Sequence, residues 1–363
     1  MLFNLCLEPL LEAIEEYSSG LKINENRKVP FLAFADDVVL LGADAREAQH
    51  QVNVLMDYLQ SLQMSLSIEK CQTFEVVTKK DTRFIKEPDL KIGNKTIPTV
   101  DPDEAFKYLG AKIGPWKGVH CGVIVPELLS VVRRVRKLSL KPGQKLKLLI
   151  KYVFPRYIYH LLVSPPSDTV LKLLDSEVRQ EIKTILHLMP STAIGFFYTP
   201  KACGGLGVPR FEHIIKLGTL KNAIKIANSV DPTVASLIDE AANKKLKQMA
   251  SSLRINWSAS LEDVEKARKC LRKDHISQWA DLRSQGQGIS DFIKNKTGNL
   301  WPADHSLLKP SRFIDVLRIR TNTFGTRSVL AQADKNIDVT CRRCRAQPKT
   351  LGHILGLCQH TKG

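Results

Sequence analysis

The sequence predicts an α+β chain: a mixed sheet with helices over residues 1–115, a mainly helical body over 116–335 and a small zinc knuckle over 336–363. Three observations carry this expectation. Helical and strand-like apolar patterns alternate through the first 115 residues, and helical spacing dominates afterwards. Between Trp116 and His160, ten Lys and Arg meet a single acid, Glu127. Cys341, Cys344, His353 and Cys358 then follow one another at metal-ligand spacing.

The bulk numbers bound what such a chain does. Its 363 residues suffice for about two or three domains, and 43% hydrophobic with 25% charged residues is ordinary for a globular protein. The balance of 54 Lys and Arg against 37 Asp and Glu is not ordinary. A net charge of +17 points to a polyanionic partner, nucleic acid first and an anionic membrane surface second. No apolar run approaches the length of a spanning helix, and "MLFNLCLEPL" reaches Glu8 too early to be a signal segment. Cys6, Cys71, Cys121, Cys203 and Cys270 are scattered, and read as reduced thiols of a cytoplasmic or nuclear protein.

Along the chain, Leu7, Leu10, Leu11 and Ile14 of "FNLCLEPLLEAIEEY" fall on one helical face. "FLAFADDVVLLG", residues 31–42, sets Asp36 and Asp37 between two apolar runs that read as buried strand. Two readings stay open: a tight hairpin turn, which favours Asp, or a divalent-metal site at a hairpin tip. "DAREAQHQVNVLMDYLQSLQM" reads as helix, capped by Asp44 with Glu47 in the capping-box position. Ala48, Val52, Leu55, Leu59 and Leu62 form its apolar stripe. "LSIEKCQTFEVV" reads as turn into strand, and "AFKYLGAKIG" as a short strand pair bounded by glycine.

"RRVRKLSLKPGQKLKLLIKYVFPRYIYH" interleaves positive charge with Leu, Val, Tyr and Phe. Most charge runs are solvated helix faces. Without interspersed acids, this one reads as a surface that tracks a nucleic-acid backbone through Arg133, Arg134, Arg136, Lys137, Lys141, Lys145, Lys147 and Lys151. "YTPKACGGLGVPRF", residues 198–211, is glycine-rich but lacks the GKS or GKT of a phosphate loop, and reads as a structural turn. Residues 212–335 are largely helical, with Pro and Gly breaks near 232 and over 286–309. Trp257, Trp279 and Trp301 read as core anchors rather than base-stacking platforms.

In "CRRCRAQPKTLGHILGLC" two thiolates from a tight knuckle, Cys341 and Cys344, precede His353 and Cys358 from a following turn, a tetrahedral zinc set. So small a segment buries little core, and metal would supply most of its folding energy. A disulfide or free thiols are the plain alternative, the disulfide disfavoured in a reducing compartment. His360 competes with Cys358 as the last ligand. Arg342, Arg343, Arg345 and Lys349 suit a knuckle that touches nucleic acid.

Set in order, "LFNLCLEPLL", "FADD", the capped helix, "KYLG", the basic helices, "CGGLGV", "RIRTNTFGTRS" (318–328) and the terminal knuckle resemble the reverse transcriptase of non-LTR retrotransposons. The likeness is to the R-two clade, which inserts into ribosomal RNA genes, and it covers essentially the whole chain. It implies the C-terminal part of a polymerase palm over 1–115, a thumb over 116–200, a connector over 201–335 and a knuckle over 336–363 that leads to an endonuclease beyond this sequence. It makes Asp36 a ligand to two magnesium ions, and has Asp37 position metal and primer end. Lys70 would neutralise the incoming triphosphate or protonate pyrophosphate, and Tyr108, Leu109 and Gly110 would form the primer grip. The implied partners are element RNA, target DNA and deoxynucleoside triphosphates, with no membrane; the implied cofactors are magnesium and zinc. The implied site of action is the nucleus, after synthesis in the cytoplasm.

The resemblance also sets a limit. The family needs a further catalytic aspartate upstream of the point where this sequence opens, so Met1 is expected to be internal to a longer protein. By itself the polypeptide is expected not to polymerise. A non-catalytic nucleic-acid-binding remnant or repurposed copy is the alternative. A group II intron maturase shares the palm hairpin but gives no reason for the knuckle.

Overall fold

The computed structural model describes residues 2–361, apart from 25–26, 81, 117, 120–121, 256–259, 296 and 302–307. It divides into two compact units, Met1–His120 and Cys121–Gly363. Helices and short strands coexist in the first and helices dominate the second, an α+β chain.

In the first unit α1 (Leu2–Tyr17) and α2 (Ala45–Ser61) pack together, because both carry an apolar stripe at helical spacing. Leu7, Leu10 and Ile14 meet Leu55 and Leu59 in a small core. The start of α2 is the one the sequence predicts: Asp44 Oδ1 accepts from the Glu47 amide at 2.9 Å. Glu47 in turn accepts from the Ala43 amide at 2.7 Å and the Gly20 amide at 2.9 Å, rather than from its own cap residue. Leu62 lies just past the last turn and is exposed, so it leaves the predicted stripe.

The strands are β1 (Leu21–Asn24), β2 (Arg27–Val29), β3 (Phe31–Phe34), β4 (Asp37–Leu40), β5 (Glu75–Lys79), β6 (Thr82–Lys86), β7 (Lys91–Ile92), β8 (Lys95–Thr96), β9 (Phe106–Tyr108), β10 (Ala111–Gly114) and β11 (Gly118–Val119). They do not form the expected mixed sheet. Among the described residues the sheets are four two-stranded hairpins and one three-stranded meander, β9–β10–β11; every pair of these strands is antiparallel, and one isolated parallel bridge joins Thr73 to Thr99. Each strand finds its partner across a short turn, whereas parallel pairing needs a crossover of about a dozen residues. The flanks of the Asp36–Asp37 hairpin are likewise not buried. Leu32 and Phe34 are 47% and 65% exposed, since no third strand covers them among the described residues.

The second unit begins with α3 (Ile124–Lys137) and a rod in which α4 (Pro142–Leu148) runs through a π turn (Leu149–Val153) into α5 (Phe154–Val163). Pro155 explains the π turn: inside a helix its ring crowds the carbonyl four residues back, here that of Lys151, and the wider turn relieves the clash. Then come α6 (Asp168–Ile185), α7 (Ile194–Tyr198), α8 (Phe211–Ala227), α9 (Pro232–Ala235), α10 (Glu240–Ser252), α11 (Leu261–Ala280), α12 (Ile289–Lys294), α13 (Pro310–Arg320) and α14 (Arg327–Leu330). One core gathers Leu128, Phe154, Phe196, Phe211, Trp279 and Leu317, and a smaller one lies between α8, α10 and α11. Trp279 is the anchor the sequence predicts; Trp301 is half-buried against that core, and Trp257 lies outside the described residues.

Polar groups also enter this unit. Asp175 accepts from the amides of Phe211 and Glu212 at 2.8 and 3.0 Å, capping α8 from outside the helix. Burial lifts its carboxyl to about 6 against the pull of those amides and of Arg210 and Arg179. His213 and His275 stack 5.1 Å apart; burial first, and Arg210 second, lower them to about 3 and about 4. The glycine-rich turn is structural, as expected. Gly204 sits at φ +89°, and a Cβ on Gly205 would run into the Thr199 carbonyl. Arg320 ties this turn to α13, its guanidinium 4.4 Å from the Phe292 ring centre and 5.1 Å from that of Trp301. It donates to Asn299 Oδ1 at 2.8 Å and to the Gly204 carbonyl at 3.2 Å, and burial lowers its pKa to about 10.

Candidate nucleic-acid interface and metal centre

Strands β3 and β4 pair from Phe31–Leu40 to Phe34–Asp37, which leaves Ala35 and Asp36 as a two-residue loop. Ala35 stands at φ +52°, a left-handed position that costs a residue with a Cβ roughly 1 kcal/mol or more. The two readings of this doublet are therefore compatible in space. Asp36 is a turn residue, Asp37 opens β4, and both carboxylates are exposed. The base of the hairpin is held from α2, where the buried Gln51 donates to the carbonyls of Pro30 and Leu41 at 3.3 Å each. The result is a fixed stem with two like charges at its tip.

Tyr108, Leu109 and Gly110 form a second tight hairpin end. Tyr108 pairs with Ala111, and Leu109 and Gly110 lie at φ +47° and +81°, as a two-residue type I′ loop requires. Burial, and then the charge of Asp37, raise the Tyr108 phenol above its usual range, so these two residues lie within electrostatic reach. Lys70 ends the short turn Ile68–Lys70 and is exposed. No hydrogen bond or ion pair joins it to Asp36 or Asp37 among the described residues.

The basic run of the second unit is not uniform. Arg133 pairs with Glu177 and Glu181, both at 3.2 Å, and Arg136 pairs with Glu181 at 3.1 Å. Lys145 Nζ donates to the Arg136 carbonyl at 2.6 Å. These contacts hold α3 to α6 and to α4, while Arg133 stays exposed and Arg136 and Lys145 are half-buried. The acids that neutralise the arginines come from α6, beyond the stretch in which the run looked uncompensated. Arg134, Lys137, Lys141, Lys147 and Lys151 are exposed and have no acidic partner among the described residues. The glycine-rich turn brings Lys201 to the last two of them; burial, then Lys151 and Lys147, lower its pKa. No described helix is long and apolar enough to cross a membrane.

At the other end Cys341, Cys344, His353 and Cys358 each bring a ligand atom within 4.8 Å of the rest. Cys344 Sγ lies 3.3 Å from His353 Nε2. The knuckle closes because the Cys341 amide donates to the Gln347 carbonyl at 2.8 Å and the Arg345 amide to the Cys341 carbonyl at 2.8 Å. A π turn, His353–Leu357, then carries Cys358 back to the cluster; His360 is outside it. The backbone amides of Cys344 and Arg343 pull the Cys341 thiol down toward the thiolate that binds metal. At Cys358 the His360 amide pulls the same way, but burial and the neighbouring Cys341 and Cys344 outweigh it and raise the thiol. Three sulfurs, one imidazole and no carboxylate suit zinc, not a hard cation.

Residues 1–113 match the family described as reverse transcriptase (RNA-dependent DNA polymerase). A retrovirus-related Pol polyprotein from the type-1 retrotransposable element R2 of Nasonia vitripennis is 25% identical over 368 residues, 100% of this chain and 34% of that protein. The Pol polyprotein of the type-2 element R2DM of Drosophila melanogaster is 25% identical over 372 residues, with the same 100% and 34%. The type-1 R2 protein of Popillia japonica is 27% identical over 337 residues, 91% of this chain and 67% of its own length. Over essentially its whole length this chain is similar to R2-type Pol polyproteins, with the reverse transcriptase match confined to its first 113 residues. It spans about a third of the length of the Nasonia and Drosophila relatives, with 34% of each covered.

Two residues that the structure brings forward, Gln51 and Lys201, were not singled out from sequence. Gln51 has a sequence signal, a polar residue three after Ala48 on the apolar stripe, where a buried amide must find carbonyls to bond. Lys201 has none, because only the fold carries the glycine-rich turn to the rod.

Proposed function

We propose that this chain is the palm-to-knuckle segment of a retrotransposon RNA-directed DNA polymerase that copies element RNA from a nicked chromosomal end. The observation that carries the proposal is the exposed Asp36–Asp37 pair at a hairpin tip, inside the residues that match the reverse transcriptase family. In this reading residues 1–115 are palm, 116–200 thumb, 201–335 connector and 336–363 a knuckle before an endonuclease, and the protein works in the nucleus.

Magnesium bound here would activate the primer 3′ hydroxyl and offset charge on the leaving pyrophosphate of a deoxynucleoside triphosphate. The two hairpin carboxylates fit such an ion: hard oxygen donors, solvent-accessible, and mutually repelling until a cation lies between them. Asp36 and Asp37 hold and orient; the Tyr108–Gly110 turn presents a rigid edge for the primer end; Lys70 offers positive charge to the triphosphate. The exposed lysines and arginines of the second unit grip RNA and DNA phosphates, and Cys341, Cys344, His353 and Cys358 hold zinc.

In the parent protein, Asp36→Asn is expected to lower primer extension on the order of 10³-fold while RNA affinity stays within about twofold. Retained extension would return Asp36 to the status of a turn residue. One observation favours a second reading, a non-catalytic nucleic-acid-binding protein. Among the described residues no third carboxylate joins Asp36 and Asp37. Primer extension by the parent protein decides between the two.

A further inference from the structure

The proposed nucleic-acid surface rests on charge, yet its rod also shows an aromatic face. Across the π turn and α5, Tyr152, Arg156 and Tyr159 stand at i, i+4 and i+7, which places them on one side of the helix. Tyr152 is 68% and Tyr159 47% exposed, and Lys151, Pro155 and Arg156 beside them are exposed as well. Tyr157 shows the contrast. It is buried, and its hydroxyl donates to Glu127 at 3.0 Å, so packing and a hydrogen bond account for it. Burial explains neither of the other two rings. His160 stands edge-on to Tyr159 with centroids 5.3 Å apart, which restricts that ring without covering it.

We infer that Tyr152, Arg156 and Tyr159 form a stacking platform for unpaired nucleotides, so that the rod prefers single-stranded RNA or DNA to duplex. The inference deepens, and rests on, the proposed nucleic-acid surface. Its occupant is fixed by complementarity. Lys147, Lys151 and Arg156 supply positive charge for phosphates, and the phenol faces and the guanidinium plane supply flat surfaces for bases. At 1.5 Å rise per residue the two tyrosines stand about 10 Å apart along the axis, room for about two stacked bases between them. A duplex keeps its base faces inside and offers these rings only its backbone. A protein partner would find a face whose charges are all of one sign.

The test measures binding of the whole chain to a fluorescent uridine-rich single strand and to a duplex of equal length, across a salt series. Tyr152→Ala with Tyr159→Ala should weaken single-strand binding about 100-fold, at roughly 10-fold per lost stacking contact. Duplex affinity should stay within twofold, and the log–log salt slope should not change, because no phosphate contact is lost. Tyr→Phe at both positions should restore binding. Lys147→Gln with Lys151→Gln should instead flatten the slope on both polymers. Unchanged single-strand affinity in the alanine pair overturns the platform, and so does an equal loss on duplex. Failure of only the lysine pair to change the slope removes the charge reading of that surface and leaves the platform standing. A thermal melt of each variant confirms that these exposed substitutions leave the fold intact.

Discussion

The two candidate metal sites of this chain are built on opposite plans. At the knuckle, four ligands from residues 341–358 converge within 4.8 Å of one another, and each is buried or half-buried. At the hairpin, two carboxylates stand exposed at the tip of strands whose own sides are open. A soft-ligand site can be closed by one short segment, because thiolates and an imidazole saturate zinc at four positions. A hard cation needs about six oxygens, and a two-residue turn offers only a corner of that shell. The first site is self-contained; the second is a contribution to something assembled from several segments.

The largest effect that would break this comparison is at the knuckle. Cys344→Ser should weaken zinc binding by the whole chain by more than about 100-fold and unfold residues 341–358, because structural zinc supplies on the order of 10 kcal/mol to such a segment. Equal zinc uptake by wild type and variant, measured by a competing chromophoric chelator, would remove the site. The next effect asks how local the knuckle is. Trp279→Ala should cost the second unit about 3–5 kcal/mol in urea unfolding. A self-contained knuckle should nevertheless keep its zinc affinity within twofold; a parallel fall would show that it borrows its stability from the helical core.

A smaller effect comes from the buried titratable groups. His213 and His275 stay neutral in the fold down to about 3 and 4, whereas in the unfolded chain they take up protons near pH 6.5. The unfolded state thus binds more protons, and stability falls as pH drops below about 6.5. Asp175 opposes this: raised to about 6, it gains its proton in the fold first and adds stability as pH falls from about 6 toward 4. Two groups against one leave a net loss on the order of 2 kcal/mol between pH 7 and 5. His213→Gln with His275→Gln should turn that fall in melting temperature into a slight rise, and an unchanged slope would assign it elsewhere. The smallest effect sharpens the hairpin side. Ala35→Gly relieves a left-handed Cβ but adds freedom to the unfolded chain, so the first unit should change by less than about 1 kcal/mol, toward stability. A marked loss would show that Ala35 makes a contact beyond its backbone angle.

The parts legible in sequence are those whose causes are local. The start of α2 needs only Asp44 and Glu47, three residues apart, and the knuckle ligands lie in one short stretch. Burial is not local: "FLAF" has the apolar content of a covered strand, but coverage depends on neighbours that no strand pattern names. Arg133 and Arg136 looked uncompensated because Glu177 and Glu181 belong to another helix.

Arg320 has a practical corollary for anyone purifying or titrating this protein. Its charge is held by two aromatic faces, an amide oxygen and carbonyls, with no carboxylate bonded to it among the described residues. Mobile ions that compete away nucleic-acid phosphates have little to compete for at such a joint. The brine that strips a polyanion from the surface should therefore leave this joint between the glycine-rich turn and α13 standing.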